Sequence, residues 1–101
     1  MKALRIDQAA ELIDIQNELE ALQAAVGGYI EAITLDYGAV MIVDEEGRLK
    51  GNPLNDLASL IAGVGIVGAA LIVGVDGEEF DDVPEVYIES LLLLSDVLNG
   101  R

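Results

Sequence analysis

Between Leu57 and Val75 the chain runs LASLIAGVGIVGAALIVGV with no charged residue, and Gly63 to Gly68 within it spells GxGxxG. Three fates are open to such a run: a membrane span, a dinucleotide-binding turn, or the buried centre of a small sheet. A span of this length needs sustained apolarity and interfacial anchors. Here glycines interrupt the run, and Asp56 and Asp76 flank it without an adjacent Lys, Arg, Trp or Tyr. A dinucleotide turn follows a strand and opens a helix, so that helix amides meet the pyrophosphate. After Gly68 the residues are AALIVGVDG, apolar and turn-terminated, which suits a strand. A chain of 101 residues is also short for the full dinucleotide fold. The third fate is therefore expected: glycines that permit tight bends or close backbone approach, followed by a core strand.

This length corresponds to one domain, residues 1–101, and 52% hydrophobic residues are enough for a single core. Cys and His are both absent. That excludes disulfides, the usual zinc sites, and Ser-His-Asp or Cys-His catalysis. The opening MKALRIDQAAELIDI lacks an apolar core of signal-peptide length, so a cytoplasmic location is expected. Acids outnumber bases 19 to 5, for a net charge of -14, and no base lies between Gly51 and Gly100. Such a surface repels DNA, RNA and anionic lipid, so no direct nucleic-acid or membrane partner is expected. The acids either keep a greasy small domain soluble or occupy a basic groove on a nucleic-acid-binding protein.

Lys2 to Ile6 reads as a short strand, and Glu11 to Ile15 as a second strand or hairpin partner. Asn17 and Glu20 stand at capping-box spacing before a helix whose apolar face is Leu19, Leu22, Ala25 and Val26, ended by Gly27-Gly28. Tyr29 to Leu35 alternates as a strand does. Ala39 to Val43 is a continuous apolar run, fit for a central strand. Asp44 to Gly47 forms a turn, Arg48 to Lys50 returns as a short strand, and Gly51 to Asn55 is a loop. Asp56 to Ala62 suits a short helix. Gly68 to Gly74 is a second core strand, and Asp81 or Asp82 caps a C-terminal helix with Pro84 in its first turn. The expected fold is α+β: a small mixed or antiparallel sheet packed by two main helices. The last helix is apolar over most of its circumference and needs a second cover. Tyr87, Leu91, Leu94 and Leu98 follow four-three-four spacing, so a homo-oligomer joined through them is expected.

Candidate chemistry is sparse. Asp76, Glu78, Glu79, Asp81 and Asp82 lack the spacing of a calcium loop, so no metal site or other cofactor is assigned, and a solvated acidic turn is expected. Paired carboxylates for glycoside chemistry need a cleft that a small domain hardly offers, so no catalytic residue is assigned. Arg48 and Lys50 are the one close basic pair away from the N-terminus. Strand spacing puts them on one face. Asn52 and Asn55 add neutral donors and acceptors, and the glycine-rich backbone near Gly68 adds amides. Together Arg48, Lys50, Asn52, Asn55 and Gly68 form a candidate site for a small anionic ligand, with charge relief beside Asp44 to Glu46 as the plainer reading.

From about Leu19 onward the chain resembles a phage and prophage family, domain of unknown function 3846. The resemblance is carried by Leu22-Gln23-Ala24-Ala25-Val26-Gly27-Gly28-Tyr29-Ile30-Glu31-Ala32, by Asp44-Glu45-Glu46-Gly47-Arg48-Leu49-Lys50-Gly51-Asn52-Pro53-Leu54-Asn55, and by Val67-Gly68-Ala69-Ala70-Leu71-Ile72-Val73-Gly74. It implies a small cytosolic protein of phages and mobile elements with no assigned catalytic motif. The family often has Arg after the loop asparagine, where this chain has Asp56. The expected function is then non-enzymatic counter-defence inside the host cell: sequestration of a small nucleotide-like host signal. The alternative is an acidic, DNA-mimic-type inhibitor of a host defence protein that binds nucleic acid.

Overall fold

A computed structural model describes residues 1–98, apart from the side chains of Ser95 and Leu98. The apolar runs become the centre of an antiparallel sheet. Its strands are β1 (Lys2–Ile6), β2 (Ala10–Asp14), β3 (Ile30–Thr34), β4 (Ala39–Asp44), β5 (Ala70–Asp76) and β6 (Glu79–Asp81). The order is β2-β1-β5-β4-β3, and β6 pairs with the far end of β5. The helices are α1 (Leu19–Val26), α2 (Asp56–Ala62) and α3 (Glu85–Leu98). Described residues thus form an α+β fold with three helices, α2 falling where a short helix was expected. The sheet is wholly antiparallel among them.

Both central strands are covered on two faces, which explains their unbroken hydrophobicity. Leu71 and Val73 of β5, with Ile42 of β4, face α1 and meet Leu22 and Val26. Ala70 and Ile72, with Met41 and Val43, face the opposite way and meet Leu57 and Ala58 of α2 and Leu91 of α3. Leu4, Ile6, Met41, Ile42, Leu71, Ile72 and Val73 are sealed from solvent. Burying each such side chain contributes about 2 kcal/mol before entropy is counted. The outer strands β2 and β3 are less buried: Ala10 and Ile13 on β2, and Ile30 and Ile33 on β3, are half-buried among exposed positions.

The uncharged run does not cross a membrane as one element. It divides into α2, a connection and β5. Among the described residues no helix is long and apolar enough to span a bilayer.

Several local expectations are corrected. Asn17 does not cap α1: its Nδ2 donates to the Phe80 carbonyl at 2.8 Å, tying the β2–α1 connection to β6, and Glu18 takes the cap position without a side-chain bond. Neither Asp81 nor Asp82 caps α3. The Asp82 carboxylate accepts from the Lys2 amide at 2.7 Å, and Asp81 accepts from the Asp82 amide. Residues 79–81 form a strand instead, because the Gly77-Glu78 turn folds the chain back along β5. Arg48 to Lys50 is not a strand: residues 45–51 are a succession of turns.

The seam on α3 is corrected too. Tyr87, Leu91 and Leu94 pack on the sheet of their own chain, and Leu91 is only 6% exposed. The Tyr87 hydroxyl donates to the Asp36 carbonyl at 2.8 Å, and its ring meets Tyr37 edge-on at 6.2 Å. Burial raises the Tyr87 pKa, with the Asp36 charge adding to the effect. The spacing therefore describes a helix laid on a sheet, which needs the same periodicity as a helix pair. The Leu98 side chain and Arg101 lie outside the described residues.

Candidate functional site

The site begins where β4 ends. Asp44 turns inward with 1% of its side chain exposed. A carboxylate so placed needs partners. The Lys50 ammonium supplies one at 2.8 Å, and the Glu46 amide supplies another at 2.9 Å. The Lys50 hydrogen bond and then that amide hold the Asp44 pKa below its ordinary value, against the effect of burial. Lys50 also donates to the Gly27 carbonyl at the end of α1, at 2.9 Å. Gly28 leaves room for the pair, since a Cβ there would meet Lys50 Nζ and Asp44 Oδ1.

Arg48 leaves the same turn in another direction. Its guanidinium donates to the Gly65 carbonyl at 2.7 Å. A Cβ on Gly65 would stand 2.9 Å from the guanidinium nitrogen. Arg48 and Lys50 therefore do not share a face. Their partners lie on different sides of the loop, because a turn succession does not obey the period of two that a strand imposes.

Asn52 reaches the third glycine of the GxGxxG. Gly68 has a φ of +75°, and a Cβ there would lie 2.9 Å from Asn52 Nδ2. Position 68 therefore combines a left-handed backbone with close approach, the two conditions only glycine meets cheaply. The first glycine, Gly63, ends α2 with a φ of +74°. The motif is thus a helix stop followed by a strip of backbone on which residues 48–52 are docked. No helix follows it to offer amides to a phosphate. Residues 53–55 continue the contact: Gly68 N donates to Pro53 O, Asn55 N donates to Ile66 O, and Leu54 bridges Val67.

Asn55 is the hub of this arrangement and is 5% exposed. Its Nδ2 donates to Ile6 O at 3.0 Å and to Gly68 O at 2.8 Å, and its Oδ1 accepts from Ala58 N at 3.1 Å. It caps α2 and ties the end of β1 to the glycine strip. Both amide protons are already used, so Asn55 is a structural residue where a ligand contact was expected. An asparagine just before an apolar helical run was a legible capping signal. Among the described residues no buried side-chain nitrogen or oxygen lacks a partner.

Two adjoining hollows flank the strip. One, of about 300 Å³, is lined by Asp7, Asp44, Lys50, Asn52, Gly68 and neighbouring backbone. The other, of about 420 Å³, is lined by Asp7, Gln8, Pro53 to Leu57 and Gly68. They share Asp7, Pro53 and Gly68. Lys50, Asn52 and Gly68 are brought together as the sequence suggested. Arg48 instead lines a separate groove of about 270 Å³ with Glu31 and Glu45. Asp7 and Gln8 were not singled out in the sequence, because nothing local marks residues that only topology carries to the cleft. Among the described residues no group of acidic side chains converges to hold a metal ion.

A six-stranded antiparallel sheet between helices, with a polar loop docked on a glycine strip, defines a small α+β domain built around one loop. The chain belongs to the family described as domain of unknown function (DUF3846), which matches residues 1–94. The match includes β1 and β2, beyond the resemblance that begins near Leu19. No curated protein and no solved structure matches the chain.

Proposed function

We propose that this protein is a non-enzymatic binder that sequesters a small nucleotide-like signal in the cytoplasm of a host cell, as part of phage counter-defence. The observation that carries the reading is the pair of adjoining hollows sharing Asp7, Pro53 and Gly68. Their size is that of small-molecule sites, and their lining mixes a few polar groups with apolar faces. Lys50, 42% exposed beside the buried Asp44, offers remaining ammonium protons to one anionic group. Asn52 and Gln8 offer amide donors and acceptors, and Asp7 accepts from hydroxyl or amino groups. With one cation in the cleft, the ligand carries few phosphates, unless a second copy of the chain brings a second Lys50 to the same pocket. Arg48 and Asn55 act here by holding the loop and the strip in place.

Native mass spectrometry with a panel of cyclic and ADP-ribose-type nucleotides tests this. Retention of one nucleotide, abolished by Lys50→Glu in a variant that keeps its circular dichroism spectrum, is the expected result. A second reading rests on the β5–β6 hairpin, where Asp76, Glu78, Glu79 and Asp81 are all exposed. It makes the protein an acidic inhibitor of a basic host enzyme. No retained nucleotide, together with host-enzyme inhibition lost on Glu78→Gln and Glu79→Gln, would favour it over sequestration.

A further inference from the structure

The two edges of the sheet are not alike. β2 carries the acids Glu11 and Asp14, and α3 packs beside it. β3, at the other end of the strand order, reads Ile30-Glu31-Ala32-Ile33-Thr34. Open edges are usually kept apart by proline, lysine, a bulge or a covering element. β3 has none of these among the described residues. Its only charge is Glu31, and its register with β4 runs unbroken from Ile30↔Asp44 to Thr34↔Val40.

The hydrogen bonds at its two ends show which backbone groups point outward. Leu35 N donates to Ala39 O at 2.9 Å, and Glu45 N donates to Tyr29 O at 2.8 Å. Bonded positions alternate along an antiparallel pair. Tyr29, Glu31, Ile33 and Leu35 therefore turn N–H and C=O toward β4. Ile30, Ala32 and Thr34 turn theirs away from the sheet, where no further strand receives them among the described residues.

Outward groups of this kind take an extended strand, and the sequence of β3 selects its own copy. Antiparallel pairing centred on Ala32 sets Ala32 against Ala32 of the copy and Ile30 against Thr34 of the copy. Every outward N–H and C=O of the three residues is then bonded. Glu31 faces Ile33 of the copy, and Arg48 lines the same groove as Glu31, so its charge is offset at the seam. A register centred on Glu31 would set two carboxylates face to face, which is unfavourable. One centred on Ile33 would carry Ile30 past the end of the copy's strand. Most other surfaces of a chain with 19 acids and 5 bases would bring acid against acid.

We propose that β3 is a self-pairing edge that joins two copies of this chain into one continuous antiparallel sheet, with Ala32 on the two-fold axis. None of its residues lines either hollow of the nucleotide cleft, so the dimer and the nucleotide reading can fail independently.

The test follows the mass of the full chain by sedimentation equilibrium over a dilution series, with amide exchange at both ends of the series. The wild type is expected to be a dimer when concentrated. The amides of Ile30, Ala32 and Thr34 should then be protected, and should lose that protection on dilution. Ala32→Pro removes only an N–H that points away from β4, a position where an edge strand accepts proline. It should weaken self-association about tenfold or more, by losing the central bonds. Ala32→Glu sets like charges opposite each other in the dimer, and because Ala32 is exposed it leaves the monomer fold intact. It should weaken association by a similar factor. A wild type that is monomeric throughout the series would overturn the proposal. A dimer that both variants leave unchanged would also overturn it, by placing the contact elsewhere.

Discussion

The loop at residues 45–52 and helix α3 invert the usual expectation. The loop is polar, exposed and without regular structure, yet each of its long basic side chains ends on a named acceptor: Gly65 O for Arg48, Asp44 and Gly27 O for Lys50. The helix is regular and among the greasiest segments, yet its Val86, Leu93 and Val97 have no cover within the described chain. Hydrophobicity therefore does not predict which region is fixed. The loop is fixed by hydrogen bonds to backbone carbonyls and by glycines that let it come close. The helix is fixed by one stripe only, and its other stripe contributes little to stability.

That contrast can be broken by substitution. The largest loss is expected from the inner stripe of α3: Leu91→Ala should cost about 3 kcal/mol in chemical denaturation, by leaving a cavity in the core on that face of the sheet. Next comes Gly68→Ala, at about 2 kcal/mol, from forcing a left-handed alanine and displacing Asn52. Asp44→Asn should cost about 1.5 kcal/mol, since it removes a charge-assisted pair that holds the loop to the end of β4. Its effect depends on pH. The folded-state pKa of Asp44 is lowered from 3.8, so its stabilisation is fully present above that value and is lost as pH falls through the lower, folded one. Wild type and Asp44→Asn should therefore converge in stability in strong acid, which denaturation at several pH values checks. Leu93→Ser on the outer stripe should change stability by no more than about 0.5 kcal/mol. A Leu93 effect as large as that of Leu91 would mean that something covers the outer face after all.

Much of the fold was legible because strands buried on two faces must be continuously apolar. Ala39 to Val43 and Ala70 to Val73 announce themselves that way. The helix stop at Gly27 was legible for a similarly local reason, being its left-handed φ of +91°. What was not legible depends on the competition between partners. Asn17 has the spacing of a cap, but the Phe80 carbonyl, 63 residues away in sequence, claims its amide. Arg48 and Lys50 have the spacing of a strand face, but Glu46 and Asp44 turn the chain before a strand can form. Periodicity on α3 pointed to a seam between helices, but a stripe that packs on a sheet and one that packs on another helix look alike in sequence. Within the candidate site, charge scarcity and glycine placement pointed to Lys50, Asn52 and Gly68, which the fold brings to one hollow. Asp7 and Gln8 were missed because only the pairing of β1 with β5 brings them beside Gly68.

The central claim is that the glycine strip exists to receive the polar loop. Amide hydrogen exchange tests it most directly, because Gly47, Lys50, Gly51 and Asn52 all donate their amides within the loop or back to Asp44. In the wild type these amides should exchange far more slowly than free peptide. In Gly68→Ala they should speed up selectively, while the amides of β4 and β5 stay protected. Exchange at free-peptide rates in the wild type, or a loop that stays protected in Gly68→Ala, would contradict the account.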